Sequence, residues 1–109
     1  MNPRLDFPNA APAAFRAMLT LQQQADRSAL APRLLHLVKL RASQINGCAF
    51  CLHMHTRDAR ANGESEERIY LLSAWWESSL FTPREKAALA WTDALTLIAQ
   101  TRAPDSDYD

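Results

Sequence analysis

Two cysteines three residues apart, Cys48 and Cys51, are followed four residues later by His55 in the stretch QINGCAFCLHMH, and they are the only cysteines in the chain. On a helix each residue turns about 100°, so with Cys48 at zero Cys51 falls near about −60° and His55 near about −20°. These three side chains then share one narrow face with Leu52 and Ala59. The sulfurs lie about one turn apart and can close a disulfide with little backbone movement. Unpaired backbone N–H groups in a first helical turn stabilise thiolate, and an imidazole four residues past Cys51 is within reach of its sulfur or of a bridging water. A dithiol beside a proton acceptor can attack a peroxide O–O bond, passing through sulfenic acid to a disulfide. It can equally exchange with the disulfide of another protein.

The same residue types leave two other readings open. The cysteines could be small buried core residues. Cys48, Cys51, His55 and His36 could instead be four metal ligands, although ligands along a single helix rarely converge tetrahedrally. A thioredoxin-type site would place Cys-x-x-Cys after a strand, and the sequence has no alternating β-branched run to supply one.

The elements that must position this face all read as helices, which makes the fold class all-α. The first helix is expected over roughly Ala11 to Asp26, with Asn9 as its cap, Pro12 in its first turn and Phe15, Met18 and Leu19 as a modest apolar stripe. The second runs from Pro32 to about Asn46, with Leu34, Leu37, Val38, Arg41 and Ile45 at helical spacing; Leu35 and Leu40 widen the apolar arc, so this helix should be central. Gly47 stops it. The cysteine helix follows, from about Cys48 to just before Gly63. A fourth helix, capped by Ser65 with Glu66 and Glu67 behind it, should carry Ile69, Leu72 and Trp76 on one side and end near Ser78 or Ser79. Thr82-Pro-Arg-Glu85 is a capping box that opens a fifth helix to about Gln100, with Ala87, Trp91, Ala94, Leu95 and Ile98 along one face. The tail from Ala103 to Asp109 is polar and expected to fray.

Composition narrows the function. A chain of 109 residues has room for one domain, 1–109, around one core. Twelve basic residues balance 12 acidic ones and no basic run occurs, which argues against a nucleic-acid partner. Arg57, Arg60 and Arg68 alternate with Asp58, Glu64, Glu66 and Glu67, which reads as a solvated surface. Charge breaks every apolar run well short of the ~20 residues that a bilayer requires, so no membrane partner is expected. The N-terminus, MNPRLDFPNAAPAAF, lacks the layout of a secretory signal, and the expected location is cytoplasmic. In that reducing compartment a lone Cys-x-x-Cys is catalytic, redox-sensing or metal-binding rather than a permanent staple.

The stretch LVKLRASQINGCAFCLHMHTRDAR, Leu37 to Arg60, closely resembles the core motif of the carboxymuconolactone decarboxylase superfamily, in its alkylhydroperoxidase D-like (AhpD-like) branch. The likeness extends from about Pro8 to Gln100. It implies an all-helical, AhpD-like fold that assembles as a dimer, trimer or hexamer, and a thiol peroxidase that uses no cofactor and no metal. Its partners would be a small-molecule peroxide and a protein or small-thiol reductant. By resemblance Cys51 attacks the peroxide, Cys48 resolves it, and His55 takes the Cys51 proton; helix electrostatics alone would favour Cys48 as nucleophile. The relay glutamate of this branch stands twelve residues before the first cysteine, where this chain has His36, and a histidine that some relays place between the cysteines is here Phe50. His53 lies on another face and reads as a surface or interface residue. By resemblance, relatives usually continue past the position of Tyr108 with further helices, so this chain is expected to be either a shortened product or a variant that relies more heavily on its partners. Phe50, Met54 and Ala61 cluster opposite the cysteines, and with Trp75 and Trp76 they suggest contact with another subunit. Two alternatives stand beside the peroxidase: a non-catalytic oligomeric redox sensor or binding protein on the same scaffold, and, last, a lactone decarboxylase, a branch that normally lacks the cysteine pair.

Overall fold

The structure, a computed structural model, describes residues 3–108. Met1, Asn2 and Asp109, the ends of the N-terminal and tail segments read above, lie outside them. All regular structure among the described residues is helical, as expected. The chain divides after Ala31 into two units.

The first unit holds α1 (Phe7–Ala10) and α2 (Pro12–Asp26). Asn9 is not the cap of the long helix: it lies inside α1, where its Nδ2 donates to Asp6 Oδ2 at 2.6 Å. The residue before α2 is Ala11, which has no capping side chain, and Pro12 at the first position lacks an N–H to satisfy. Phe7 meets Phe15 edge to face at 6.0 Å. Of the expected apolar stripe only Phe15 is half-buried; Met18 and Leu19 are exposed.

The second unit holds α3 (Pro32–Asn46), α4 (Ala49–Ala61), α5 (Glu66–Leu71), a 3-10 turn (Leu72–Ala74), α6 (Pro83–Thr96), α7 (Ile98–Thr101) and α8 (Asp105–Tyr108). The central position expected for α3 is observed, since it packs against both α4 and α6. Its buried positions are Leu34, Leu37, Leu40 and Ser43. Leu37 and Leu40 join Ala59, Ile69, Leu72, Phe81 and Leu89 in one core, against which Leu52 and Trp75 pack. Full burial of a leucine contributes about 1.5–3 kcal/mol, so Leu37, Leu40, Leu72 and Leu89 are the main apolar anchors of this unit.

Three expectations about these helices change. The fourth helix ends early: after Leu71 the chain tightens into the 3-10 turn, which shifts the angular phase. Ile69 and Leu72 are buried as expected, but Trp76 is exposed and Trp75 turns inward, its Nε1 donating to Asp93 Oδ2 at 3.1 Å. The fifth helix has its capping box, yet it breaks at Leu97, and its buried residues are Leu89, Thr92 and Ala94. Ala87, Leu95 and Ile98 face outward, because Asp93 must reach Arg41 on α3 and this sets the rotation of α6. The tail residues Asp105–Tyr108 form a helical turn in place of a frayed end, with Tyr108 against Trp91 at 5.4 Å.

Candidate active site

The cysteine-bearing helix α4 is bracketed by the only two glycines in the chain. Gly47 has φ 66° and Gly63 φ 87°, the left-handed region that other residues enter at a cost. At the first bracket Cys48 N donates to Ser43 O at 3.2 Å and Gly47 N to Gln44 O at 3.3 Å. At the second, Glu64 N donates to Ala59 O and Gly63 N to Arg60 O, both at 3.0 Å. Both are Schellman turns, which satisfy the last carbonyls of a helix while reversing the chain. The first makes Cys48 the residue that leaves α3 and also caps α4.

Cys48 and Cys51 are joined as a disulfide, with Cα atoms 5.3 Å apart. Cys48 Sγ also accepts the backbone N–H of Cys51, at 3.2 Å. One sulfur therefore meets the positive end of the helix and its partner cysteine together. In the reduced state the same N–H would stabilise negative charge on Cys48. Both cysteines are half-buried, as is His55, one turn further along α4. Ala59 of the same face is buried in the core and Leu52 packs against it, so this side of α4 is turned toward α3.

His36, on α3, lies away from the cysteines. Its Nε2 is 3.1 Å from Asn62 Nδ2. Asn62 is the C-cap of α4, eleven residues past Cys51 and about 16 Å along the axis. The structure thus brings the cysteines together, sets His55 beside them in sequence on the same helix, and holds His36 at the other end of α4. Among the described residues no three His, Cys, Asp or Glu side chains form a metal-binding group.

The opposite face of α4 lines an open groove of about 390 Å³ with Phe50, His53, Met54, Arg57, Asp58 and Ala61. All six are exposed, so the second apolar side of the helix is not covered by the described residues of its own unit.

Two of the charges that read as solvated surface, Glu64 and Arg68, instead join a network that holds the far end of α4 in place. Glu64 follows Gly63 and is buried, with its side chain 1% exposed. Arg33 Nε reaches Glu64 Oε2 at 3.1 Å, and Arg68 Nε reaches Glu64 Oε1 at 2.6 Å. Arg68 also grips Glu85 bidentately, at 3.0 and 2.5 Å, donates to Leu80 O at 2.7 Å and lies over the Phe81 ring. Burial pushes the Glu64 carboxyl up, and hydrogen bonds from Arg33 and Arg68 more than offset it, so it stays below its ordinary range. The hydrogen bond from Arg68 likewise brings Glu85 down to about 2. The alternating charges hid this, since Arg33, Glu64 and Glu85 are far apart in sequence. The Arg60–Glu66 pair, by contrast, is exposed as expected.

Residues 12–94 match the profile of the carboxymuconolactone decarboxylase family. The chain belongs to the carboxymuconolactone decarboxylase family. An uncharacterized family relative, YdfG of Bacillus subtilis (strain 168), is 43% identical over 108 residues, which are 99% of this chain and 74% of that one. The crystal structure of ATU0492 from Agrobacterium tumefaciens superimposes with a TM-score of 0.93 at 47% identity, over 98% of this chain and 73% of that one. ATU0492 is a protein of unknown function, provisionally placed in antioxidant defence as an AhpD. The fold of this family member is therefore AhpD-like, with its cysteine pair at the start of the helix that packs on the central α3. No helix among the described residues is long and apolar enough to cross a membrane.

Proposed function

We propose that the chain is a thiol-dependent peroxidase of alkylhydroperoxidase D type. The observation that carries this is the Cys48–Cys51 bond at the capped start of α4, with His55 one turn on. In the reduced enzyme His55 takes the Cys51 proton, and the Cys51 thiolate attacks the terminal peroxide oxygen. An S–O bond forms, the O–O bond breaks, and the alcohol leaves with a proton. The Cys48 thiol then gives up its proton and attacks the sulfenic sulfur of Cys51; the S–S bond forms, the S–O bond breaks, and the oxygen leaves as water with that proton. Two thiols of a protein or small-molecule reductant restore the pair by exchange.

This reading includes self-assembly and a cytoplasmic setting. Phe50 and Met54 on α4 and Trp76 beyond α5 are apolar and exposed, which supports a homo-oligomer. A non-catalytic redox sensor on the same scaffold is the second reading, supported by the engagement of His36 with the Asn62 amide at the helix end remote from the cysteines.

Stopped-flow reduction of an alkyl hydroperoxide, with excess dithiol, separates the two. A peroxidase turns over in the wild type, loses turnover in Cys51→Ser, and keeps or gains it in His36→Glu. A sensor forms the disulfide once and does not cycle.

A further inference from the structure

We propose that Asn62 is a positioning residue that holds His36 in the tautomer with its proton on Nδ1, so that His36 meets the interior as a hydrogen-bond donor. The Asn62 side chain fixes its own orientation. Its Nδ2 donates to Asp58 O at 2.8 Å, one turn back on α4, so the amide nitrogen is the atom that faces the helix. The same Nδ2 lies 3.1 Å from His36 Nε2. An amide nitrogen only donates, and its two hydrogens serve these two acceptors. Turning the amide over would set its oxygen against the Asp58 carbonyl, two acceptors facing each other. His36 Nε2 must therefore accept, and a neutral imidazole that accepts at Nε2 carries its hydrogen on Nδ1.

That second nitrogen is the unusual one. His36 Nδ1 is buried and has no hydrogen-bond partner among the described residues. Buried donors are nearly always paired, and an unpaired one is costly unless something outside the protein answers it. The tautomer set by Asn62 makes this inward atom an N–H, so what it can bind is an acceptor oxygen, such as that of a water or a peroxide. A carboxylate in the place of His36 would present the opposite polarity. The tautomer stands on geometry alone; its consequence for turnover rests on the peroxidase reading.

The test is ¹⁵N NMR of the histidine rings in the oxidised 109-residue chain, with His36→Gln assigning the His36 signals among the three histidines. In the wild type the Nδ1 resonance falls at a protonated shift and Nε2 at an unprotonated one. Asn62→Ala removes the fixing donor and should lower the Nδ1–H to Nε2–H ratio roughly fivefold or more, the value of one hydrogen bond. Asn62→Asp, which offers an acceptor, should move the proton to Nε2. Thermal melts of both variants show whether α4 is still folded, and Asn62→Asp keeps the shape of the cap. Nε2–H as the main wild-type tautomer, or an unchanged ratio in folded Asn62→Asp, overturns the proposal. Loss of the peroxidase reading leaves these signals where they are, so failure of either idea can be told from failure of the other.

Discussion

Cys48 caps the helix that carries Cys51: its sulfur lies 3.2 Å from the Cys51 backbone nitrogen while bonded to the Cys51 side chain. The cap does not depend on the disulfide, because the N–H belongs to the backbone. In the reduced protein Cys48→Ser keeps an acceptor at this position and Cys48→Ala removes it. Cys48→Ala should therefore be less stable than Cys48→Ser by about 1 kcal/mol, the usual worth of an N-cap. Urea denaturation under reducing conditions measures the difference, and equal midpoints would show that the sulfur contributes no cap.

Gly47 connects α3 to the cysteine pair. A Cβ there would touch nothing within 4 Å, so replacement is costly through backbone conformation alone. Gly47→Ala should lose about 1–2 kcal/mol, the penalty for an L-residue in the left-handed region. Because Cys48 N bonds back to Ser43 O through this turn, the same variant should also form the disulfide more slowly under mild oxidant. Calorimetry checks the first effect and thiol titration over time the second. Gly47→Asn, which tolerates this conformation better, should recover part of both.

Acid should loosen the Arg68 cluster. Glu85 titrates at about 2 in the folded chain against an ordinary 4.5, chiefly because Arg68 donates to it. A carboxyl lowered on folding stabilises the native state fully above its unfolded value. That contribution fades as pH falls from about 4.5 toward about 2. The melting temperature of the wild type should drop across this window. In Glu85→Gln it should start lower at neutral pH and drop less. Parallel curves for the two proteins would mean that Glu85 adds nothing to the acid response.

Sequence pattern located what is encoded locally. Gly47, Gly63, Ser65 and Thr82 act through their own backbone and near neighbours, and each ends or starts a helix where the pattern placed it. The cysteine pair is of the same kind, since one turn of helix suffices to join it. What the pattern missed depends on partners distant in the chain. Arg41 reads as part of an apolar stripe, yet it is paired with Asp93 across α3 and α6, and this pair turns Ala87, Leu95 and Ile98 outward. Trp75 and Trp76 exchange roles because a 3-10 turn advances each residue further than an α-helix does. The meeting of His36 with Asn62, 26 residues apart, follows from the antiparallel packing of α3 on α4, which no local spacing records.

The central claim is that Cys51 is oxidised by peroxide and that Cys48 closes the bond. The most direct measurement is intact-mass and peptide analysis of the fully reduced chain after one equivalent of an alkyl hydroperoxide. The account predicts a single Cys48–Cys51 disulfide in the wild type, a sulfenic acid held on Cys51 in Cys48→Ser, and no oxidation of Cys48 in Cys51→Ser on the same timescale. Sulfenic acid appearing on Cys48 in Cys51→Ser as fast as the wild-type disulfide forms would contradict it.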